Sequence, residues 1–228
     1  DLKSLKGQSI NLAELSVSHY LLARGLSSVG LQLKDVRTVN TGDADIVGAF
    51  ASPDVKAAAA WNPQLTAMKA LPGAGQVFSS ADIPGEILDL LCVDTATLKA
   101  NPKLGKALAG IWYETTALMT RQDAQGKAAR AAMAKLAGAS PEAFDGQLST
   151  TYLYSDPKAA VAATDSPALV TTMARVRDFS FSRGLFKGAT SADAVGMSFP
   201  GNKTLGDPQR VTLRFDDSFM KMAAEGKL

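Results

Sequence analysis

Residues 11–26, NLAELSVSHYLLARGL, join the end of an apolar run to an amphipathic helical pattern. Four polar side chains stand at this junction: Glu14, Ser16, Ser18 and His19. A serine there can cap the helix, because its hydroxyl accepts a backbone N–H of the first turn. The same side chains can instead line a pocket, because ligands of open α/β sheets bind beyond the carboxyl ends of the strands. The pattern predicts a strand-to-helix junction and leaves both roles open.

The residues on either side of this junction alternate between strand-like and helix-like patterns. Helical stretches of about ten residues separate short apolar runs, which indicates a parallel sheet covered by helices. The predicted strands are QSINLAEL (8–15), VRTVN (36–40), AAAAWN (57–62), GQVFSS (75–80) and EILDLLCVD (86–94). The last of these contains the single cysteine, Cys92, which we expect to be a buried core thiol.

The remainder of the chain is predicted to be mostly helical. Ser140 and Pro141 are typical of a helix start, as N-cap and first residue. We predict an α/β domain over residues 1–90 and a mostly helical segment over residues 91–228 with almost no strands of its own. The apolar faces of these helices need a partner, which is either a helical bundle or a sheet outside this chain.

Composition excludes several classes of function. The 228 residues carry a formal net charge of +2 with no basic run, so nucleic acid is not an expected partner. One cysteine and one histidine are too few for a structural zinc site. No nucleophile turn accompanies His19, so a Ser-His-Asp device is not expected. We therefore predict no metal, no cofactor and no catalytic residues, and a protein that is not an enzyme.

Four ordered segments resemble periplasmic solute-binding proteins of ABC transporters. They are DLKSLKGQSINLAELSVSHYLLARGL (1–26), VRTVNTGDADIVGAFASPDVKAAAAWNPQL (36–65), VFSSADIPGEILDLLCVDTATLKANPKLGKALAGIWYE (77–114), and SADAVGMSF (191–199) with VTLRFDDSFM (211–220). The nitrate/sulfonate/taurine type is the nearest, and within it the urea-carboxylase-associated branch, of urea or guanidine type. The resemblance implies an α/β, type II periplasmic-binding-protein fold with one α/β lobe and a helical half that normally packs on the other lobe.

The resemblance also implies a function and partners. The expected role is the periplasmic component of an ABC importer, which binds a small nitrogen-rich or sulfonate-like solute between two lobes and delivers it to a membrane permease. Relatives carry roughly another hundred residues before the LKG turn, so we expect the N-terminal part of lobe one to be missing. A complementary N-terminal fragment or self-association would then cover the exposed surface. The alternative is an enzyme or sensory domain on the same fold, similar to pyrimidine or menaquinone biosynthetic proteins.

Further candidate ligand contacts follow the other predicted strands. Asp43 comes after the second strand and is also a candidate helix cap, and Trp61 and Asn62 come after the third. Asp89 interrupts an apolar run near the expected crossing between lobes, where an acid needs a partner or water. His19 is expected on a helix surface or at an interface. Trp61 is equally compatible with a core position.

The expected charge of the solute depends on which groups stand at the strand ends. A helix N-terminus with hydroxyls favours an anion such as nitrate or a sulfonate. Glu14 and Asp43 beside Trp61 favour a cation, because guanidinium pairs with carboxylates and stacks on indole. No Lys or Arg stands at the three strand ends, so the sequence favours a small cationic or amide-rich ligand.

Overall fold

A computed structural model describes residues 1–228 and contains six β-strands and ten α-helices. The chain divides into two compact units, the first formed by residues 1–87 and 179–185 and the second by residues 88–178 and 186–228. None of the ten helices combines the length and the hydropathy that crossing a bilayer requires.

The first unit is a small parallel sheet with helices in its connections. Its elements are β1 (Ser9–Leu12), α1 (Val17–Ser28), β2 (Arg37–Asn40), α2 (Ile46–Phe50), β3 (Ala57–Ala58) and α3 (Gln64–Lys69). The strand order is β2–β1–β3, and β1 pairs in parallel with both neighbours. The carboxyl ends of all three strands therefore meet at one edge of the sheet.

The core of this unit lies between β1 and α1. Ile10 and Leu12 alternate on the strand, and Leu22 and Leu26 stand one helical turn apart, so both patterns present an apolar face. All four side chains are buried. Burial of a side chain of this size contributes about 1.5–3 kcal/mol, so this contact fixes α1 on the sheet.

A buried ion pair fastens the end of the first segment to α1. The Arg24 guanidinium donates from Nε to Glu86 Oε2 at 2.6 Å and from Nη2 to Glu86 Oε1 at 2.8 Å. The Tyr20 hydroxyl donates to Glu86 Oε2 at 2.9 Å. Glu86 is buried, and Ile87 is the last residue of the unit before the chain leaves it. The network therefore holds that exit point against the helix.

The second unit combines helices with a sheet of its own. Its elements are α4 (Thr95–Ala100), α5 (Pro102–Thr120), α6 (Ala124–Leu136), α7 (Pro141–Leu148), α8 (Pro157–Asp165), α9 (Pro167–Ser182, whose last turn belongs to the first unit), β4 (Gly196–Phe199), β5 (Lys203–Leu205), β6 (Val211–Arg214) and α10 (Ser218–Ala224). The strand order is β5–β4–β6, antiparallel between β4 and β5 and parallel between β4 and β6. The expectation that residues 91–228 hold almost no strands was wrong.

This second sheet supplies the partner that α9 needs. Leu169 and Met173 of the helix form one buried cluster with Met197 and Phe199 of β4. Phe199 also stacks on Phe215, with ring centroids 5.0 Å apart. The three strands are only three or four residues long, which is why their pattern is weak in the sequence.

Two predicted strands do not form. Residues 75–79 and 86–94 are irregular, Ser80 begins a short 3₁₀ helix (Ser80–Asp82), and neither predicted strand joins a sheet. A strand needs a neighbour to pair its N–H and C=O groups, and these segments have none in this chain. Cys92 lies in the second of them and is exposed, so the prediction of a buried core thiol was wrong.

Two of the predicted helix caps are confirmed, at the starts of α1 and α7. The Ser16 hydroxyl accepts the backbone N–H of Ser18, and the Ser140 hydroxyl accepts that of Ala143. Pro141 occupies the first position of α7. Local rules of capping decide these boundaries without help from tertiary contacts.

Candidate functional site

The carboxyl edge of the first sheet is open between its strands. Beyond the last paired residues, Thr41 donates its backbone N–H to Leu12 O, and Ala59 donates its N–H to Asn11 O, both at 2.9 Å. The chain runs from β1 to β2 on one side, and the next connection crosses from β2 to β3 on the other side of β1. Ligands of open α/β sheets bind beyond the carboxyl ends of their strands.

A buried amide stiffens this edge. Asn11, in the central strand, donates from Nδ2 to Thr41 Oγ1 at 2.9 Å, and Thr41 donates its hydroxyl hydrogen to Val39 O at 3.1 Å. Asn11 is buried, so leaving its amide unpaired would cost about 1–3 kcal/mol. This residue was not among the predicted site residues, because a single Asn inside a strand pattern carries no local signal of its partner.

The turn between β1 and α1 has an unusual backbone. Leu15 has φ of 63°, in the left-handed region that residues other than glycine rarely adopt. The Ser16 hydroxyl donates to Ala13 O at 2.6 Å and accepts from Ser18 N at 3.1 Å. Leu15 donates its N–H to His19 Nδ1 at 3.2 Å. Ser16 and His19 therefore hold the turn, and the Ser18 side chain is buried behind it.

The Glu14 carboxylate turns back along the edge strand. Its backbone N–H donates to Asn40 Oδ1 at 3.0 Å, and Oε1 accepts the hydroxyl hydrogen of Thr38 in β2. The side chain is exposed. Glu14 thus faces the flank of β2 rather than the space beyond the strand ends.

A hollow of about 450 Å³ lies at this flank, within the first unit. Its lining residues are Glu14, Leu15, His19, Leu33, Lys34, Thr38, Ser182 and Arg183. Lys34 and Arg183 bring two positive charges to one carboxylate, and neither cation forms an ion pair with the protein. Sequence reasoning missed both, because they are separated by about 150 residues and neither follows a strand of the sheet.

His19 is enclosed at the wall of this hollow and not exposed on a helix surface, which was one of the two positions expected for it. Only 5% of the residue is exposed, and its ring meets the Phe179 ring edge-on with centroids 5.6 Å apart. Burial lowers the pKa of His19 below its ordinary value of 6.5, and the Arg183 guanidinium lowers this pKa further. The Glu14 carboxylate opposes both effects. The ring is therefore neutral near pH 7, with Nδ1 as acceptor and the proton on Nε2.

The other predicted site residues do not line the hollow. Asp43 is exposed, and Asp45 stands at the N-cap of α2, so Asp43 does not cap that helix. Trp61 is half-buried and accepts the Leu65 N–H at its carbonyl. Asn62 Oδ1 accepts the hydroxyl hydrogen of Thr66 at 2.8 Å. Both therefore belong to the start of α3.

Asp89 is not among the residues that line the hollow. It belongs to the second unit and is exposed in the irregular segment that follows Ile87. The structure thus brings Glu14 and His19 together with two residues that were not predicted, Lys34 and Arg183.

Comparisons with known proteins identify the family of this chain. Residues 1–125, more than half of the chain, match the sequence model of the NMT1/THI5-like family. Proteins of Brucella abortus (strain 2308) and Brucella suis biovar 1 (strain 1330), each named as a binding protein, are 30% identical over 82 residues. That alignment covers 36% of this chain and 26% of each relative, so it spans about a quarter of their length.

Superposition on solved structures identifies the fold of this chain. The alkanesulfonate-binding protein SsuA from Xanthomonas axonopodis pv. citri, bound to MOPS, superposes with a TM-score of 0.60 at 21% identity. The periplasmic aliphatic sulphonate binding protein SsuA from Escherichia coli superposes with a TM-score of 0.64 at 20% identity. The matches cover 81% and 82% of this chain and 60% of each SsuA chain. This chain belongs to the NMT1/THI5-like family and has the α/β fold of periplasmic binding proteins.

Proposed function

We propose that this chain is the extracytoplasmic solute-binding component of an ABC importer, which presents a small solute to a membrane permease. Family membership, the fold and the names of the relatives support this role. The observation that carries it is the hollow at the β1–α1 junction, where Lys34 and Arg183 stand without a carboxylate partner. Charged groups left unpaired at a concave surface are suited to a charged ligand.

The charges of the hollow favour a solute with an acidic group. Lys34 and Arg183 can take the two sides of a sulfonate or carboxylate, and the Arg183 guanidinium can do so with two N–H groups. Glu14 offers its second carboxylate oxygen to an amino group, because Thr38 already donates to the first. A sulfonate-like solute, above all one that also carries an amine, fits better than the urea or guanidine type that the strand ends alone suggested.

A thermal-shift screen tests this assignment. Taurine, ethanesulfonate, nitrate, urea and guanidinium are added to the chain at increasing concentration. A solute that binds only the folded state raises its stability by about 2.7 kcal/mol at a concentration of 100 Kd. We expect the two sulfonates to raise the melting temperature, and urea and guanidinium at millimolar concentration to leave it unchanged.

Matched variants locate the site. Arg183→Met and Lys34→Met are expected to abolish the shift given by ethanesulfonate. Lys6→Met removes an equal charge from an exposed residue of the same unit and is expected to keep the shift. Shifts that survive in both hollow variants would remove the hollow from the proposal. A shift with guanidinium alone would replace the acidic solute with a cation bound by Glu14.

We also propose that residues 88–93 associate with a strand of a second polypeptide. Leu90 and Leu91 are 47% and 68% exposed, and the segment pairs with no strand of this chain. An extended apolar segment with unpaired backbone groups is a template for pairing. Either a second copy or a complementary fragment can supply that strand.

Sedimentation velocity distinguishes the two sources of the strand. A dimer that Leu91→Lys dissociates, and that Leu136→Lys on the exposed face of α6 does not, would support the second copy. A chain that stays monomeric at all concentrations would leave the complementary fragment as the source.

A further inference from the structure

His19 makes the one side-chain contact to the backbone of Leu15, the strained residue of the β1–α1 turn. The Leu15 N–H points at Nδ1, at 3.2 Å, and Leu15 holds a φ of 63°. Such a conformation persists only where the surroundings determine it. Glu14 directly precedes Leu15, its backbone N–H donates to Asn40 Oδ1, and its carboxylate accepts the hydroxyl hydrogen of Thr38 at the edge of the hollow.

Protonation of the ring would remove this contact. An imidazolium donates from both nitrogens, so a protonated Nδ1 meets the Leu15 N–H as a second donor. The ring cannot turn freely to restore the bond, because it is buried against Phe179. A proton on Nδ1 of His19 therefore places two hydrogen-bond donors, the ring N–H and the Leu15 N–H, opposite each other.

The charged groups around His19 are those of the hollow. Arg183, directly after α9, opposes a proton on the ring, and Glu14 favours one. Lys34, from the turn before β2, is the other cation of the hollow. A bound acidic group would add a negative charge beside the two cations and make protonation easier. The site thus couples the charge of its occupant to the state of the ring.

The geometry points to His19 as a pH-dependent positioning residue: its neutral Nδ1 holds the Leu15 turn and keeps Glu14 directed at the hollow, and protonation releases both. The effect on a solute rests on the proposed function, whereas the effect on the turn does not. His19 acts through the backbone and needs no contact with the solute.

The first experiment requires no solute. His19 is the single histidine of the chain, so its ring gives one set of NMR signals across a pH titration. We expect amide exchange at Leu15, corrected for the intrinsic pH dependence of exchange, to accelerate about tenfold as the ring becomes protonated. His19→Asn keeps an acceptor at the Nδ1 position without titrating, so its corrected Leu15 exchange stays slow. His19→Phe keeps a ring against Phe179 without an acceptor, and exchange is fast at every pH.

Two results would overturn the inference. One is a ring that titrates while corrected Leu15 exchange stays constant. The other is slow Leu15 exchange in a folded His19→Phe protein. If that variant does not fold, the wild-type titration and the His19→Asn protein still decide the question.

The second experiment uses the ratio of two affinities. Taurine carries an ammonium that can reach Glu14, and ethanesulfonate does not, so their affinity ratio isolates the Glu14 contact. We expect this ratio to fall about fivefold between pH 7.5 and pH 5 in the wild type and to stay constant in His19→Asn. A constant wild-type ratio would contradict the inference. If neither sulfonate binds, the proposed function fails. The Leu15 exchange experiment still tests whether His19 holds the β1–α1 turn.

Discussion

Replacing Arg24 with Met should destabilise the first unit by about 2–3 kcal/mol. Removing one partner of a buried ion pair costs about 3–5 kcal/mol, because the other charge stays buried. The Glu86 side chain is only 9% exposed, but that of Arg24 is 28% exposed, so water screens part of the pair and lowers the expected loss to about 2–3 kcal/mol. Tyr20 continues to donate to Glu86 in the variant, which also limits the loss.

The assay uses the distribution of the two tryptophans. Trp61 lies in the first unit and Trp112 in the second, so a Trp112→Phe background leaves one fluorescent reporter of the first unit. Urea titrations at pH 7 in this background give the free energy of unfolding for each variant. The matched control is Arg37→Met, because Arg37 is exposed and its side chain donates only to the Ser9 hydroxyl. That control should cost less than about 1 kcal/mol.

The same urea titrations can contradict the role given to the Arg24–Glu86 pair. If Arg24→Met and Arg37→Met unfold at the same urea concentration with the same slope, the network does not fasten the exit of the chain to α1. A double variant, Arg24→Met with Glu86→Leu, should be more stable than Arg24→Met alone, because it removes the stranded carboxylate. A double variant less stable by the sum of both single effects would contradict this account.

Three further predictions concern packing, capping and pH. Gly105→Ala should destabilise the second unit by about 2 kcal/mol or more, because the new Cβ would overlap the Phe219 ring. Gly110→Ala in the same helix places its Cβ in open space and should stabilise the unit by about 0.5–1 kcal/mol. Urea titrations with Trp112 as the fluorescent reporter measure both changes. Ser16→Ala should cost about 1 kcal/mol through the lost N-cap of α1, measured by the same method with Trp61 as reporter. The free energy of unfolding should fall as pH drops below about 6.5, because His19 then binds a proton more readily in the unfolded state than in the folded state. The loss is about 1.4 kcal/mol for each pH unit between the unfolded and folded pKa values. His19→Asn should flatten this part of a plot of melting temperature against pH.

Local patterns in the sequence correctly predicted the features that depend on neighbouring residues. The Ser16 and Ser140 caps and the first parallel strands follow from residues within a few positions of each other. Strand formation at 86–94 failed as a prediction for the opposite reason. The apolar run is typical of a buried strand, but its state depends on whether another strand is present to pair with it.

The site shows the same division between local and distant information. Glu14 and the Ser16 cap can be read from the β1–α1 junction, because one strand and one helix place them. The charge of the hollow cannot be predicted in this way, because Lys34 precedes β2 and Arg183 follows α9, and only the folded chain brings them to the same hollow. The predicted preference for a cationic solute followed from the strand ends alone, whereas the acidic solute that we propose follows from these two cations.

The position of His19 explains why one histidine can serve a site without touching the solute. A helix surface was a reasonable expectation, since the residue stands in the first turn of α1 beside polar neighbours. The return of the chain at Phe179 encloses the ring and leaves Nδ1 facing the Leu15 N–H. Burial then makes the neutral form the stable one, and the neutral form is the one that can accept this hydrogen bond. The same contact that hides His19 from solvent therefore makes the direction of Glu14 depend on its proton.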